Sequence, residues 1–299
     1  MIQSRLKGTG VALVTPFNSL HEIDYAQLGK LIDFCIEGGV EYLVSLGTTG
    51  ESVSLSKSEK AAVLKFTVEH NAGRVAVVAG FGGNNTAQVI EDIEQADLNG
   101  VDAILSVSPY YNKPTQDGIY AHYKAVASAS PKPIILYNVP GRTGSNIKAE
   151  TTLRLANEVP NVIGIKEASG DFSQCMNLAK NKPENFLLIS GDDNITLGLI
   201  AYGFDGVISV VGQAFPKIFS EMVRQSLMGD FTTARNLHYK LNDITDMLFA
   251  EGNPGGVKYV LELQKVCGSE MRLPLVSISD ELKNKIRNEF KKINSGTID

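Results

Sequence analysis

Cysteine is scarce in this chain of 299 residues: Cys35, Cys175 and Cys267 stand far apart and odd in number. They offer neither a disulfide framework nor a Cys-X-X-Cys metal clip, and they fit a reducing cytoplasm. Histidine is nearly as rare. His21, His70, His122 and His238 fall in expected helices or their flanks, which leaves no basis for a zinc site or a Ser-His-Asp triad. Positive charge is not in excess either, the formal net charge being −5. A dedicated nucleic-acid binder needs a basic face to neutralise phosphates. No apolar run approaches the roughly 20 residues of a membrane span. The opening Met1-Ile2-Gln3-Ser4-Arg5-Leu6-Lys7-Gly8 has no apolar core and no cleavage site, so no signal peptide is expected. Also missing are a Gly-x-Gly-x-x-Gly after an early strand and a Gly-Lys-Ser/Thr phosphate loop. The remaining composition, 43% apolar and 20% charged, excludes global disorder, and the length suffices for a large core without staples.

What is present is alternation. Short apolar, β-branched runs cover residues 10–14, 42–46, 75–79, 103–107, 134–137, 162–165, 187–189 and 207–211, eight in all. The first residues beyond them are Thr15, Gly47, Gly80, Ser108, Asn138, Lys166, Ser190 and Gly212. These follow one another at intervals of 22 to 33 residues, about one β-loop-α-loop unit. Helix starts stand between the runs: Asp24 with Gln27, Ser56 with Glu59, and Asn85 with Gln88. Gly38-Gly39 stops the first of these helices, and Asn99-Gly100 is expected to end the one after Asn85. Continuous rather than alternating apolar runs imply burial on both faces, hence a parallel sheet covered by helices. Eight such strands with right-handed crossovers close into a (β/α)8 TIM barrel; the alternative is an open doubly wound sheet. The barrel is expected over residues 1–226 and a C-terminal helical domain over 227–299. Helical patterns cover 232–249, 257–266 and 279–293, with a turn at 251–256 and fraying from 294 to 299.

In a barrel the reactive face is the carboxyl end of the strands. Lys166 ends the sixth run. A lysine amine attacks carbonyls once neutral, and burial among apolar strands disfavours its charged form. Gly164 is expected to leave room beside it. The bland alternative is a snorkelling lysine at a strand end. Tyr137 ends the neighbouring fifth run, where a phenol can pass a proton to or from a substrate oxygen; otherwise it is an aromatic rim residue. Gly47-Thr48-Thr49-Gly50-Glu51 allows close backbone approach. Its amides and hydroxyls could hold a carboxylate, with Glu51 as an acceptor that fixes the loop, or it is simply a Gly/Thr turn. Arg142 could clamp a carboxylate bidentately, or be a solvated loop arginine. Tyr110 and Tyr111 form an aromatic pair that could pack at a subunit contact. Asp192-Asp193 reads better as helix capping than as a metal site.

In order and at barrel spacing, several segments together resemble one family. They are Val14-Thr15-Pro16-Phe17, the Gly47-to-Glu51 loop, Pro109-Tyr110-Tyr111-Asn112, Tyr137-Asn138-Val139-Pro140-Gly141-Arg142-Thr143, Gly164-Ile165-Lys166-Glu167, Ser190-Gly191-Asp192 and Asn253-Pro254. The chain resembles the dihydrodipicolinate synthase family of lysine-dependent pyruvate aldolases, the group that includes N-acetylneuraminate lyase. The resemblance covers nearly the whole chain. It implies that Lys166 forms a Schiff base with pyruvate, and that Tyr137, Thr48 and Tyr111 relay protons, Tyr111 reaching in from a neighbouring subunit. It implies further that Thr49 holds the pyruvate carboxylate, that Arg142 receives the carboxylate of L-aspartate 4-semialdehyde, and that Gly191 and Ile208 give backbone contacts at the pocket floor. No metal or organic cofactor is implied. A cytoplasmic homotetramer built from tight dimers is. A sugar-acid aldolase and a non-catalytic keto-acid sensor are the other readings; the lyase carries Ser-Thr at the position of Thr48-Thr49.

Two departures from the family pattern stand out. Gly256 replaces a common proline after Asn253-Pro254, which bears on loop stiffness. Lys57 and Lys60 stand where lysine-inhibited members commonly have histidine, and Gln88 where they have glutamate. Ser52, Val53, Asn84 and Tyr110 fall at the remaining positions of that candidate allosteric cleft. Two added cations and a lost carboxylate should repel the ammonium groups of L-lysine, so weak or absent feedback inhibition is expected.

Overall fold

The computed structural model describes residues 2–295. Eight parallel strands close in sequence order into a barrel, with the last paired to the first. They are β1 (Gly8–Ala12), β2 (Tyr42–Ser45), β3 (Ala76–Gly80), β4 (Ala103–Val107), β5 (Ile134–Asn138), β6 (Val162–Glu167), β7 (Leu187–Ser190) and β8 (Gly206–Ser209). Alternation along each strand divides the apolar side chains between two cores. Ala12, Val44, Val78, Leu105, Ile135, Ile163, Ile189 and Ile208 fill the barrel. Val11, Leu43, Ile104, Leu136, Ile165, Leu188 and Val207 face the helices. Tyr42 lies across the interior, and a Cβ on Gly10 would fall 2.1 Å from its ring, so the first strand needs glycine there.

The helices are α1 (Ile2–Arg5), α2 (Tyr25–Glu37), α3 (Lys57–Asn71), α4 (Thr86–Glu94), α5 (Gln116–Ala129), α6 (Pro140–Thr143) and α7 (Ala149–Glu158), followed by α8 (Phe172–Asn181), α9 (Thr196–Ala201), α10 (Pro216–Leu227), α11 (Phe231–Phe249), α12 (Gly255–Leu263) and α13 (Asp280–Ser295). The caps fall at the expected residues. Asp24 and Asn85 accept the amides of Gln27 and Gln88, and Ser56 with Glu59 forms a complete capping box. Helix α4 ends at Glu94 rather than near Asn99-Gly100, and residues 95–100 form turns in which Asp97 accepts the Asn99 amide.

Strands β1 and β8 stop two residues short of the apolar runs that mark them. Their continuations are apolar and buried; the Leu13 amide still donates to the Val44 carbonyl of β2, but beyond it side chains take up the amides. Val14 donates to Gln213 Oε1 at 2.8 Å, and Val210 donates to Asp193 Oδ2 at 3.0 Å. Composition marks burial there, while the backbone partner decides what counts as strand.

Helix α10 completes the barrel wall against β1 and β8. Beyond it, Leu241, Ile244, Leu248, Val257, Val260, Leu282 and Ile286 belong to the same apolar core as the barrel helices. The division expected at 226/227 falls at the end of α10. Asn294 and Ser295 still belong to α13, and residues 296–299, also expected to fray, lie outside the described residues. No described helix is long and apolar enough to cross a membrane.

Candidate active site

Alternation also sets the reactive pair. At the carboxyl ends of β5 and β6, Tyr137 and Lys166 point into the barrel mouth, and Asn138 and Glu167 point outwards. Sheet register places Tyr137 beside Lys166, and the amine sits 4.4 Å from the tyrosine ring centroid. Lys166 is only 6% exposed. Glu167, its neighbour in sequence, is engaged elsewhere. It accepts hydrogen bonds from Asn138 Nδ2 and Gln174 Nε2, both at 2.9 Å, and from the Ser169 amide at 2.7 Å. Among the described residues, therefore, the neighbour of the Lys166 amine is a ring face and not a carboxylate. An amine so placed faces the cavity with a phenol beside it, within reach of a carbonyl carbon that enters there.

Room beside the amine comes from Gly191, not Gly164. A Cβ on Gly191 would lie 2.7 Å from the Ala168 Cβ and 3.0 Å from Lys166 Cε. A Cβ on Gly164 would strike Leu187, 2.7 Å from its Cβ, so that glycine serves the contact between β6 and β7, where the β5–β6 register also shifts.

The opposite wall is a loop held from a distance. Thr48-Thr49-Gly50 forms one 3-10 turn, ended by Glu51 in the left-handed region at φ 51°. Such a backbone persists in a non-glycine residue only where its surroundings over-determine it. Here they do. The Glu51 carboxylate is 1% exposed and meets the fully buried Lys258 ammonium at 2.5 Å. It also accepts the Arg272 amide at 3.1 Å, while Lys258 donates to the Glu270 carbonyl at 2.7 Å. Burial pushes the Lys258 amine down from its ordinary pKa, and Glu51 opposes that shift. The Phe17 ring lies 4.5 Å from the Lys258 amine and 4.6 Å from the Arg272 guanidinium carbon. Thr15 Oγ1 donates to the Gly50 carbonyl at 2.7 Å, and Asn253 Nδ2 donates to Thr49 Oγ1 at 2.9 Å. Glu51 thus fixes its loop as expected, with Lys258, Arg272 and the amide of Asn253 as partners that the sequence of the loop itself does not indicate. One signal was available: Lys258 is the lone charge among Val257, Tyr259, Val260 and Leu261.

A cavity of about 1060 Å³ opens over these groups, lined by Thr48, Thr49, Tyr137, Arg142, Lys166 and Gly191. Arg142 stands on α6 with its side chain exposed towards the cavity. Ile208, 1% exposed, packs in the barrel interior and does not line it. Asp193 carries structure: its carboxylate accepts the Ser209 hydroxyl and the amides of Val210 and Val211, and burial pushes its carboxyl up to about 6. Asp192 caps the turn that follows β7 by accepting the Asn194 amide.

A lysine buried at a strand end, a tyrosine beside it and a threonine loop opposite are the features the resemblance requires, and the family comparison agrees. Residues 5–293 match the model of the Dihydrodipicolinate synthetase family. This chain belongs to that family. It is 53% identical over 279 residues to the 4-hydroxy-tetrahydrodipicolinate synthase of Flavobacterium psychrophilum, spanning 93% of this chain and 95% of that protein. The crystal structure of dihydrodipicolinate synthase from Aquifex aeolicus superposes with a TM-score of 0.93 at 42% identity, covering 96% of this chain and 98% of that one. The chloride-inhibited dihydrodipicolinate synthase of Acinetobacter baumannii, complexed with pyruvate, gives 0.93 at 39%, covering 96% and 99%.

In this family member the cavity continues beyond the threonine loop between α3 and α4, past Ser52, Val53, Lys57, Lys60 and Tyr110. Asn84 and Gln88 do not line it. Gln88 Nε2 instead donates to Glu91 at 3.1 Å and to Asp92 at 2.9 Å. Asp92 also pairs with Lys57 at 3.0 Å, so an anion absent from the sequence reading offsets one of the two added cations. Tyr111 does not line the cavity of its own chain. It is 87% exposed, with a left-handed backbone at φ 74°. Gly256, the departure from proline, lies within α12 where a Cβ would fall 2.6 Å from the Leu248 Cα, so it admits close packing of α12 on α11.

Proposed function

We propose that this chain condenses pyruvate with L-aspartate 4-semialdehyde through a Schiff base on Lys166, giving 4-hydroxy-tetrahydrodipicolinate for lysine and diaminopimelate biosynthesis. The observation that carries the reading is the buried Lys166 amine beside the Tyr137 ring, without a carboxylate partner among the described residues. The neutral amine adds to the pyruvate ketone and water leaves, forming an iminium ion. Its positive nitrogen draws electrons, a methyl proton departs, and the resulting enamine carbon attacks the aldehyde. The amino group of the semialdehyde then displaces Lys166 and closes the ring.

Hydroxyls carry the protons in this scheme. Tyr137 and Thr48 face the cavity, and Tyr111, exposed on its own chain, supplies the third hydroxyl to a neighbouring subunit. Thr49 holds the pyruvate carboxylate, Gly191 offers a backbone contact at the floor, and Arg142 receives the carboxylate of the semialdehyde. Every step uses side chains and substrate, without metal or organic cofactor. The Tyr111 role requires at least a dimer, and a cytoplasmic tetramer of two tight dimers fits it. The purified protein should turn over pyruvate with L-aspartate 4-semialdehyde and leave an amino-sugar aldehyde unreacted. Turnover with the sugar aldehyde alone would replace this reading with a sugar-acid aldolase, and turnover with neither would leave a keto-acid sensor.

A further inference from the structure

Asn253 touches the threonine loop from 204 positions away in sequence, and the direction of its hydrogen bond matters. A threonine hydroxyl has one proton to give and lone pairs to receive with. Asn253 Nδ2 donates to Thr49 Oγ1, which occupies a lone pair and leaves the hydroxyl proton free. A carboxylate can only accept. We propose that Asn253 is a positioning residue that orients the Thr49 hydroxyl as a donor towards the pyruvate carboxylate; this rests on Thr49 as the residue that holds that carboxylate. The reverse amide orientation would make Thr49 donate to Asn253 and leave the carboxylate without the hydroxyl proton.

Two features support a role beyond packing. Asn253 Oδ1 is buried and accepts no hydrogen bond among the described residues. A buried unpaired carbonyl is costly, so the residue contributes through its amino group and not through full satisfaction of its amide. The segment that carries it is also tied twice to the same loop. Asn253 meets Thr49, and five residues on, Lys258 meets Glu51. With both contacts made, the start of α12 and the threonine turn keep one alignment, and the amide stays within reach of the hydroxyl.

The test is a double-mutant cycle read as kcat/KM for each substrate of the full-length protein. Asn253→Asp is nearly isosteric but can only accept, so it captures the Thr49 proton. The expected result is a fall in kcat/KM for pyruvate of about 10- to 100-fold, the worth of a hydrogen bond to a charged group, with kcat/KM for the aldehyde nearly unchanged. In a Thr49→Val background the effect of Asn253→Asp should shrink at least about threefold, because part of it runs through the hydroxyl. An equal effect in both backgrounds would mean that the new charge acts on the substrate directly, and would overturn the proposal, as would an unchanged Asn253→Asp enzyme. Should Asn253→Asp fail to fold, Asn253→Leu carries the same cycle, with a smaller loss that vanishes beside Thr49→Val. Failure of the underlying reading looks different: Thr49→Val alone would leave kcat/KM for pyruvate intact.

Discussion

The two walls of the cavity are built by different means. Tyr137 and Lys166 stand on adjacent strands, aligned by sheet register and aimed by simple alternation. The Thr48-Thr49 turn stands on a loop whose shape depends on Asn253, Lys258 and Arg272, more than 200 residues away. On the proposed mechanism, rigid strands hold the group that forms the covalent bond, where small displacements cost most. The loop carries the threonines proposed to grip the substrate, and tertiary contacts supply the rigidity that its own backbone lacks.

Substitutions on the two walls should therefore fail differently. Tyr137→Phe keeps the ring beside Lys166 and removes only the hydroxyl. It should lower kcat by about 10²- to 10⁴-fold, the usual worth of a positioned proton donor, with an unchanged urea midpoint. A normal kcat would remove Tyr137 from the relay. On the loop wall, Lys258→Met leaves the Glu51 carboxylate buried and unpaired, and should cost about 3–5 kcal/mol of stability in urea unfolding. Adding Glu51→Leu should recover most of that loss, since a matched apolar pair leaves no orphan charge. If the single variant is as stable as the parent, the loop is held by something other than this pair.

Gly191→Ala probes the strand wall by crowding Lys166 Cε. It should reduce kcat/KM for pyruvate by about 10²-fold, comparable with a displacement of about 1 Å at the reacting centre. An equal loss in the aldehyde step alone would place the crowding elsewhere. The smallest expected effect lies at the outer end of the cavity. There Lys60 faces the cleft, Lys57 is partly offset by Asp92, and Gln88 brings no charge. L-lysine at up to about 1 mM should leave the rate nearly unchanged, since like charges repel. Half-inhibition below that concentration would show that Asp92 and its neighbours restore a site for ammonium groups.

The contrast also explains how much could be read in advance. Strand number, barrel closure and the Tyr137–Lys166 pair follow from periodicity, which is a local property. Position at a strand end puts Gly191 on the reactive face, and only the resemblance gives it a role at the floor; the space expected at Gly164 belongs to a strand contact visible only in three dimensions. Strands β1 and β8 end earlier than their apolar runs because Gln213 and Asp193 take up the Val14 and Val210 amides, which composition alone assigns to a ladder. Lys258 is a case of the same kind. A lone charge in an apolar stretch marks a need for a buried partner, but the partner lies 207 positions away, so local pattern does not say which turn it braces.

On the proposed mechanism Lys166 captures the ketone covalently. Incubation with pyruvate and sodium borohydride, followed by peptide mass mapping, tests it directly. A stable reduced adduct on the peptide bearing Lys166, absent from Lys166→Ala, is the predicted result. No adduct, an adduct on another lysine, or full turnover by Lys166→Ala would rule out a Schiff base at this position.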